Sequence, residues 1–332
     1  MRKILSIFLV ILPLFSVAQF APAQDQPGTT AMNADSSAFV AWAIRCEVAP
    51  GPMNIANPQA GVAGAGYPAE NGVGAPDGTY GVACLGDGGR ATLTFASPIC
   101  NRPGPDFAVF ENGFKSGSQW FLEIAFVEVS SDGKHYFRFP AVTNVQYDTQ
   151  LGGFATMDPS QIHNFAGKYG AFYGTPFDLD EVPDDPLLDK DNIGYVRVID
   201  VVGSIDPQYA TYDSQGHPVN DPWPTPFASS GFDLDAVGVI HDLAHFPSNV
   251  VENTAGVLLY PNPTNSYTML EVGQRDNVTV TISDLQGRVL NSFAVSQANE
   301  AIRIETAGYQ AGIYFVTVND ANSRQTLRLF IK

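Results

Sequence analysis

The sequence predicts an all-β protein built as two sandwiches in series, and three observations carry that prediction. Glycine (31 residues) and proline (24) punctuate a 332-residue chain rich in Phe (22) and Tyr (13). Long stretches of Ala, Leu, Glu and Lys at helical spacing are missing. From Asp35 to His241 turn signals return about every ten residues with short apolar runs between them, the spacing of a sandwich or barrel.

Residues 91–95, 107–110, 124–130, 135–139, 194–201 and 232–240 each read as a short strand. Asp132-Gly133 separates two alternating runs, the strongest local cue for a hairpin, so 124–130 and 135–139 are expected as antiparallel neighbours. Gly86-Asp87-Gly88-Gly89 supplies the turn that leads into 91–95. Between 151 and 191, and again between 206 and 230, the periodicity dissolves into Gly, Pro, Asn and Asp; both stretches are expected as loops at the rim. A polar linker at 244–256 precedes a second alternating pattern, with strands expected at 278–282, 312–318 and 325–331. The domain reading is a signal peptide at 1–18, a large domain at 35–243, the linker, and a small domain at 257–332.

The signal peptide rests on basic Arg2 and Lys3, an apolar run from Ile4 to Val17 and a small-residue exit at Ala18, with Ala21-Pro22-Ala23 offering a second exit. That run is too short to span a bilayer, and no later segment approaches the roughly 20 apolar residues required. Export places Cys46, Cys84 and Cys100 in an oxidising compartment, where one disulfide with a spare thiol and three buried free thiols both remain open. A formal net charge of −17 argues against nucleic acid, because a phosphate binder needs clustered Lys and Arg.

The tail carries several blocks in order: Leu259-Tyr260-Pro261-Asn262-Pro263, Val280-Thr281-Ile282-Ser283-Asp284-Leu285-Gln286-Gly287-Arg288, Gly312-Ile313-Tyr314-Phe315-Val316, and Leu329-Phe330-Ile331-Lys332. These resemble the sorting domain that Bacteroidetes proteins carry for type IX secretion. The resemblance implies a small immunoglobulin-like sandwich that engages the secretion machinery through 257–332, and a secreted or surface destination. The larger domain has the blocks Gly74-Ala75-Pro76-Asp77-Gly78, Gly104-Pro105-Asp106-Phe107 through Gly113-Phe114, Val127-Glu128-Val129-Ser130-Ser131-Asp132-Gly133, and Gly231-Phe232-Asp233-Leu234-Asp235-Ala236-Val237. It resembles a family of secreted bacterial cell-surface proteins, which implies a galactose-binding-like, jelly-roll-like β-sandwich. A fold of that kind hosts glycan binders, adhesins and enzyme accessories alike, so it selects no single function.

Two acidic groups have the oxygen chemistry calcium needs. One is the loop with Asp178, Asp180, Glu181, Asp184, Asp185, Asp189 and Asp191, although its prolines and spacing make a solvated acidic loop the simpler account. The other gathers Asp77, Glu111, Asn112, Asp233 and Asp235 from strand ends, where the alternative is that Glu111 and Asp235 accept hydrogen bonds from loop backbone. His241 and His245 have i, i+4 spacing, but they lie where a strand runs into the linker, not on a helix, and no Glu follows the first His as a zinc hydrolase requires. Gly64-Ala65-Gly66 echoes a dinucleotide loop, which Pro68 forbids from continuing into a helix. No Gly-x-Ser-x-Gly elbow occurs, so no catalytic residue is assigned, and a hydrolase built from Glu111 and Asp235 is the competing reading.

Aromatic residues point to a bound glycan or other extracellular ligand. Trp223 stands among Pro222, Pro224 and Pro226, which hold the backbone extended so that the indole would be free to stack on a sugar face. Tyr169, Phe172 and Tyr173 are candidate companions at the same rim. The alternative is that these rings plug the loops onto the sandwich edge. The favoured expectation is a non-enzymatic binding or adhesion module, with a purely structural surface protein as a further alternative.

Overall fold

Strands form where apolar runs stand between glycine and proline turns, throughout the residues that the computed structural model describes: 20–78, 80–246, 257–273, 275–284, 287–298, 301–320 and 324–332. The expected signal peptide, and the expected linker apart from 244–246, lie outside these residues. Two compact units divide the chain, Met1–Pro247 and Ser248–Lys332. Among the described residues no helix is long and apolar enough to cross a membrane.

The first unit contains β1 (Met32–Asn33), β2 (Ala41–Trp42), β3 (Arg45–Ala49), β4 (Ala83–Cys84), β5 (Arg90–Ile99), β6 (Phe107–Glu111), β7 (Phe114–Ser116) and β8 (Gln119–Phe121). It continues with β9 (Ala125–Ser130), β10 (Phe137–Arg138), β11 (Val142–Thr143), β12 (Ile162–His163), β13 (Tyr173–Phe177), β14 (Ile193–Asp200) and β15 (Asp233–Val239). One sheet runs β1-β13-β6-β15-β2, with β4 also paired to β15, and the other runs β10-β9-β14-β5-β3. All their pairings are antiparallel.

Phe107, Phe177, Leu234 and Val237 of the first sheet meet Leu93, Val127 and Val198 of the second in one buried cluster. The Phe107 and Phe177 rings stack at 5.4 Å, and Phe139 packs edge-on to both. Each fully buried Phe contributes roughly 1.5–3 kcal/mol through removal from water, so this cluster outweighs any single loop contact. Strand β9 is covered on its other face as well, where Phe126 joins Leu122, Ile124 and Phe165. Burial on both faces explains why β9 lacks a polar, solvent-facing alternation.

The expected hairpin is present, with Phe137 opposite Val129. The stretch 151–191 departs from expectation, because β12 and β13 lie inside it. Gly174 and Pro176 interrupt the apolar alternation of β13. At Gly174 a Cβ would stand 2.8 Å from the Phe110 ring, so glycine is what lets the strand lie this close. The pairing with β1 reaches only Gly174, so Pro176 occupies a position whose missing N–H has no partner strand to serve.

The second unit contains β16 (Leu258–Tyr260), β17 (Tyr267–Glu271), β18 (Arg275–Ser283), β19 (Val289–Ala298), β20 (Ile302–Glu305), β21 (Gly312–Asn319) and β22 (Arg324–Ile331). Sheets β16-β17-β20 and β19-β18-β21-β22 share a core that includes Leu270, Val280, Ile304, Val316 and Leu329. The Tyr-Pro-Asn-Pro segment is stitched to the final strand. Asn262 accepts from the Phe330 N–H at 2.8 Å through Oδ1 and donates to the Arg328 carbonyl at 2.8 Å through Nδ2. Thr264 N–H then donates to the Phe330 carbonyl at 2.9 Å.

All three cysteines are free, Cys84 and Cys100 buried and Cys46 half-buried, which closes the disulfide question left open above. Thiol titration should therefore count three groups in the denatured protein, and the melting temperature should be the same with and without reductant. A melting temperature lowered by reductant would reveal a bridge.

Candidate functional site, an aromatic cleft with a carboxylate floor

Strands β6 and β15 bring two polar residues to the same sheet end. Leu234 lies opposite Glu111, and the register shifts between Leu234 and Ala236. Asn112 and Asp233 consequently leave the sheet side by side, with Asn112 Nδ2 donating to Asp233 Oδ2 at 3.4 Å. Gly113 follows because nothing larger fits: a Cβ there would stand 2.7 Å from Glu111 Oε2 and 2.9 Å from the Phe121 carbonyl oxygen. Its N–H donates to Glu111 Oε2 at 2.8 Å.

Hairpin β7–β8 then folds back with Phe114 opposite Phe121 and their rings stacked at 5.0 Å. Phe121 meets Phe154 at 6.3 Å, and Phe154 meets Phe227 at 5.8 Å, so four rings from three segments form a continuous arc. Tyr67, Tyr80, Thr225, Ser229 and Ala171 complete the lining of a cleft of about 450 Å³. That volume lies within the usual range of ligand pockets, roughly 300–1,000 Å³. Tyr80 is 84% exposed and Phe154 75%, which places large apolar surface at the mouth.

Glu123 and Asp233 form the floor, each only 6% exposed. Glu123 is held by its backbone. The neighbouring Ile124 N–H donates to Asp221 Oδ2 at 3.2 Å, and Gly167, at φ +77°, approaches the Glu123 carbonyl where a Cβ would stand at 2.0 Å. Burial raises the pKa of both floor carboxyls, and for Glu123 the charge of Asp233 is the next largest cause, followed by Glu111 and Asp221. Among the described residues, Asp233 Oδ1 and Glu111 Oε1 are buried without a hydrogen-bond partner.

The five residues expected to gather around calcium divide between two tasks. Asp235 accepts from the backbone N–H groups of Asp77 and Gly78 at 3.0 and 2.9 Å, which is the structural alternative, whereas Asn112 and Asp233 face the cleft with Glu111 beside them. No cluster of three or more His, Cys, Asp or Glu side chains able to hold a metal occurs among the described residues. In the acidic loop the carboxylates are committed one by one. Asp178 and Asp185 accept from local N–H groups, Asp184 pairs with Lys190 at 2.8 Å and Asp191 with Arg102 at 2.9 Å. His241 and His245 turn to different carboxylates, Asp106 and Asp242, each at 2.8 Å.

The aromatic residues chosen from the sequence are not brought together. Tyr169 is 1% exposed with its hydroxyl 2.8 Å from Thr30 Oγ1, and Tyr173 sits half-buried in the ladder opposite Asn33. Trp223 is half-buried, not a free indole. Its Nε1 donates to the buried Asp87 at 3.1 Å and its backbone N–H to the Leu151 carbonyl at 3.2 Å, so it clamps its loop. Glu123 and the Phe arc escaped the sequence reading. Their signal was present as large rings directly after glycines, in Gly113-Phe114 and Gly153-Phe154, where a polar loop has no core to fill.

Residues 258–332 match the family described as the secretion system C-terminal sorting domain. The chain therefore carries a type IX sorting domain, engages that secretion machinery through it, and is a secreted or cell-surface protein. No curated protein matches the chain. Among solved structures it is similar to PorZ, a surface component of the type IX secretion system of Porphyromonas gingivalis, at 18% identity over 30% of this chain and 14% of that one, with a TM-score of 0.21. A biofilm-associated protein BSP domain is 9% identical over 73% of this chain and 48% of that chain, with a TM-score of 0.19. Ruminococcus gnavus β-glucuronidase is 10% identical over 74% and 36%, also at 0.19. The chain spans less than half the length of each of these, and at such scores the likenesses carry no argument about its activity.

Two outcomes are expected of the purified protein. A carboxyl whose pKa is raised by folding binds protons more tightly when folded, so stability falls as pH rises from the ordinary carboxylate value of about 4 toward the raised one. Asp235, pushed up to about 6 by burial, and the floor pair share this sign. Melting of the first unit should occur at lower temperature at pH 8 than at pH 5, and Asp233→Asn should flatten that dependence; an unchanged slope would overturn the assignment. Trp223→Ala removes the donor to buried Asp87 and should destabilise by about 1–3 kcal/mol in denaturant melts; a loss near zero would return Trp223 to the status of a free indole.

Proposed function

We propose that the first unit is a non-enzymatic module that holds an extracellular carbohydrate in the aromatic cleft, after export directed by the sorting domain. One observation carries this reading: the Phe114–Phe121–Phe154–Phe227 arc, with exposed Tyr80, opens to solvent around a polar floor. Contiguous exposed apolar surface is unfavourable in water and marks a contact surface in a soluble domain. Aromatic faces match the C–H faces of a sugar ring, while Asn112, Thr225, Ser229 and the tyrosine hydroxyls are placed to bond its hydroxyl groups.

A second reading has its own observation. Burial raises the pKa of both Glu123 and Asp233, and the charge of Asp233 raises Glu123 further, as a general acid beside a second carboxylate requires, so a polysaccharide hydrolase would use this pair and not Glu111 with Asp235. Reducing ends released from a polysaccharide panel, and abolished by Glu123→Gln, would favour it over the binding module.

For the binding reading, Tyr80→Ala and Phe154→Ala should each weaken retention on the glycan ligand by about fivefold, corresponding to about 1 kcal/mol per lost stacking face. Because both rings are exposed, the melting temperature should not move. Loss of stability without loss of binding would assign the rings to packing.

A further inference from the structure

The floor of the cleft differs both from buried aspartates such as Asp200 and Asp235, whose oxygens accept from backbone N–H groups, and from Glu128, which has cationic partners. Glu128, on β9, is also 6% exposed, and it is neutralised by two guanidinium groups: Arg138 Nε donates to Oε1 at 3.0 Å and Arg197 Nε to Oε2 at 2.7 Å. Glu123 and Asp233 receive nothing comparable. Their charged neighbours are Glu111, Asp221 and Asp200, with the Cys84 thiol beside Asp233, and none is cationic. The lysines on adjoining elements are committed elsewhere, Lys115 to Asp25 and Lys168 to the Ile162 carbonyl oxygen at 2.7 Å. Among the described residues, the cleft lining contains no Lys, Arg or His.

Two carboxyls taken from water without a counter-charge hold their protons more tightly, and a cation that arrives from outside favours their ionised form, so the pair is complementary to a cationic ligand. Among the described residues Asp233 has only weak donors, Asn112 Nδ2 at 3.4 Å from Oδ2 and the Cys84 thiol, and its Oδ1 is buried with no nitrogen or hydroxyl donor. The walls add a second preference of the same sign, since the faces of Phe and Tyr rings attract a desolvated ammonium group.

We propose that this cleft selects a carbohydrate bearing a free, positively charged amino group, an unacetylated amino-sugar oligomer, with the ammonium seated between Glu123 and Asp233 and the sugar rings against the Phe arc. The proposal rests on the reading of the cleft as a carbohydrate site and names the substituent it recognises. An N-acetyl group would bring no charge to the floor, and an acidic sugar would be repelled by it.

The test compares two ligands on the full chain by titration calorimetry: a glucosamine oligomer and its fully N-acetylated counterpart of equal length. The glucosamine oligomer should bind at least about tenfold more tightly, with an affinity that falls as salt is raised, because a charge-assisted contact separates the two ligands. Glu123→Gln combined with Asp233→Asn should abolish that difference. Removing buried charge relieves desolvation, and the two ligands discriminate on the unaltered protein even if this variant does not fold.

Equal binding of both oligomers, or tighter binding of the acetylated one, overturns the amino-group assignment and leaves the carbohydrate reading standing. Silence with both ligands and with neutral glycans overturns both. Heat with calcium ion alone, lost in the double variant and unaccompanied by amino-sugar binding, overturns the proposal in favour of a metal centre.

Discussion

Buried aspartates bonded to backbone N–H groups hold the first unit together. Asp200 accepts from Phe232 and Gly88 at 2.7 and 2.8 Å, joining the end of β14 to the start of β15 and to a tight turn. Asp106 accepts from Arg102 and Leu179, each at 2.9 Å, and from the His241 ring. Asp213 gathers the N–H groups of Thr143, Gln215 and His217. Long loops leave many backbone donors unpaired, and a two-oxygen acceptor is the economical way to satisfy them inside a fold. The acidity of the chain is therefore in part an architectural property. At the cleft floor, by contrast, Asp233 takes only a 3.4 Å bond from Asn112 and a weak one from the Cys84 thiol, and among the described residues its Oδ1 has no nitrogen or hydroxyl donor.

The alternation of apolar residues made the sandwich legible, since strands that must bury a face announce themselves by period and turn. Strand β13 was not legible because its glycine and proline serve close packing and an unpartnered edge, and those same residues signal loops elsewhere. The role of Asp235 as a backbone acceptor was visible from its position at a strand end. The cleft was not, because Glu123, Phe154 and Phe227 are distant in sequence and meet only through the register of β6 with β15 and the path of three loops. Trp223 shows the opposite error. Flanking prolines indicated an extended chain correctly, but they could not reveal that Asp87 lay within reach of the indole.

The division of labour between the two units follows from what each exposes. In the second, the Tyr-Pro-Asn-Pro arm and the last strand brace each other through Asn262 and Thr264, so the residues that define the sorting motif are also those that close its small sheet. In the first, loops that the sandwich displays line the aromatic cleft. Neither task needs the other's residues, which is why the tail is readable as a family while the cleft has to be argued from geometry.

The unpaired cysteines have a chemical consequence for a protein that resides outside the cell. Burial pushes the Cys46 thiol up to about 12 and Cys100 to about 11, and raises Cys84 further, with Asp233 adding to the effect. Oxidation and disulfide exchange proceed through the thiolate, a form these three sulfurs scarcely populate near neutral pH. Crowded copies at a surface can thus carry free sulfhydryls without becoming covalently cross-linked to one another or to passing thiols.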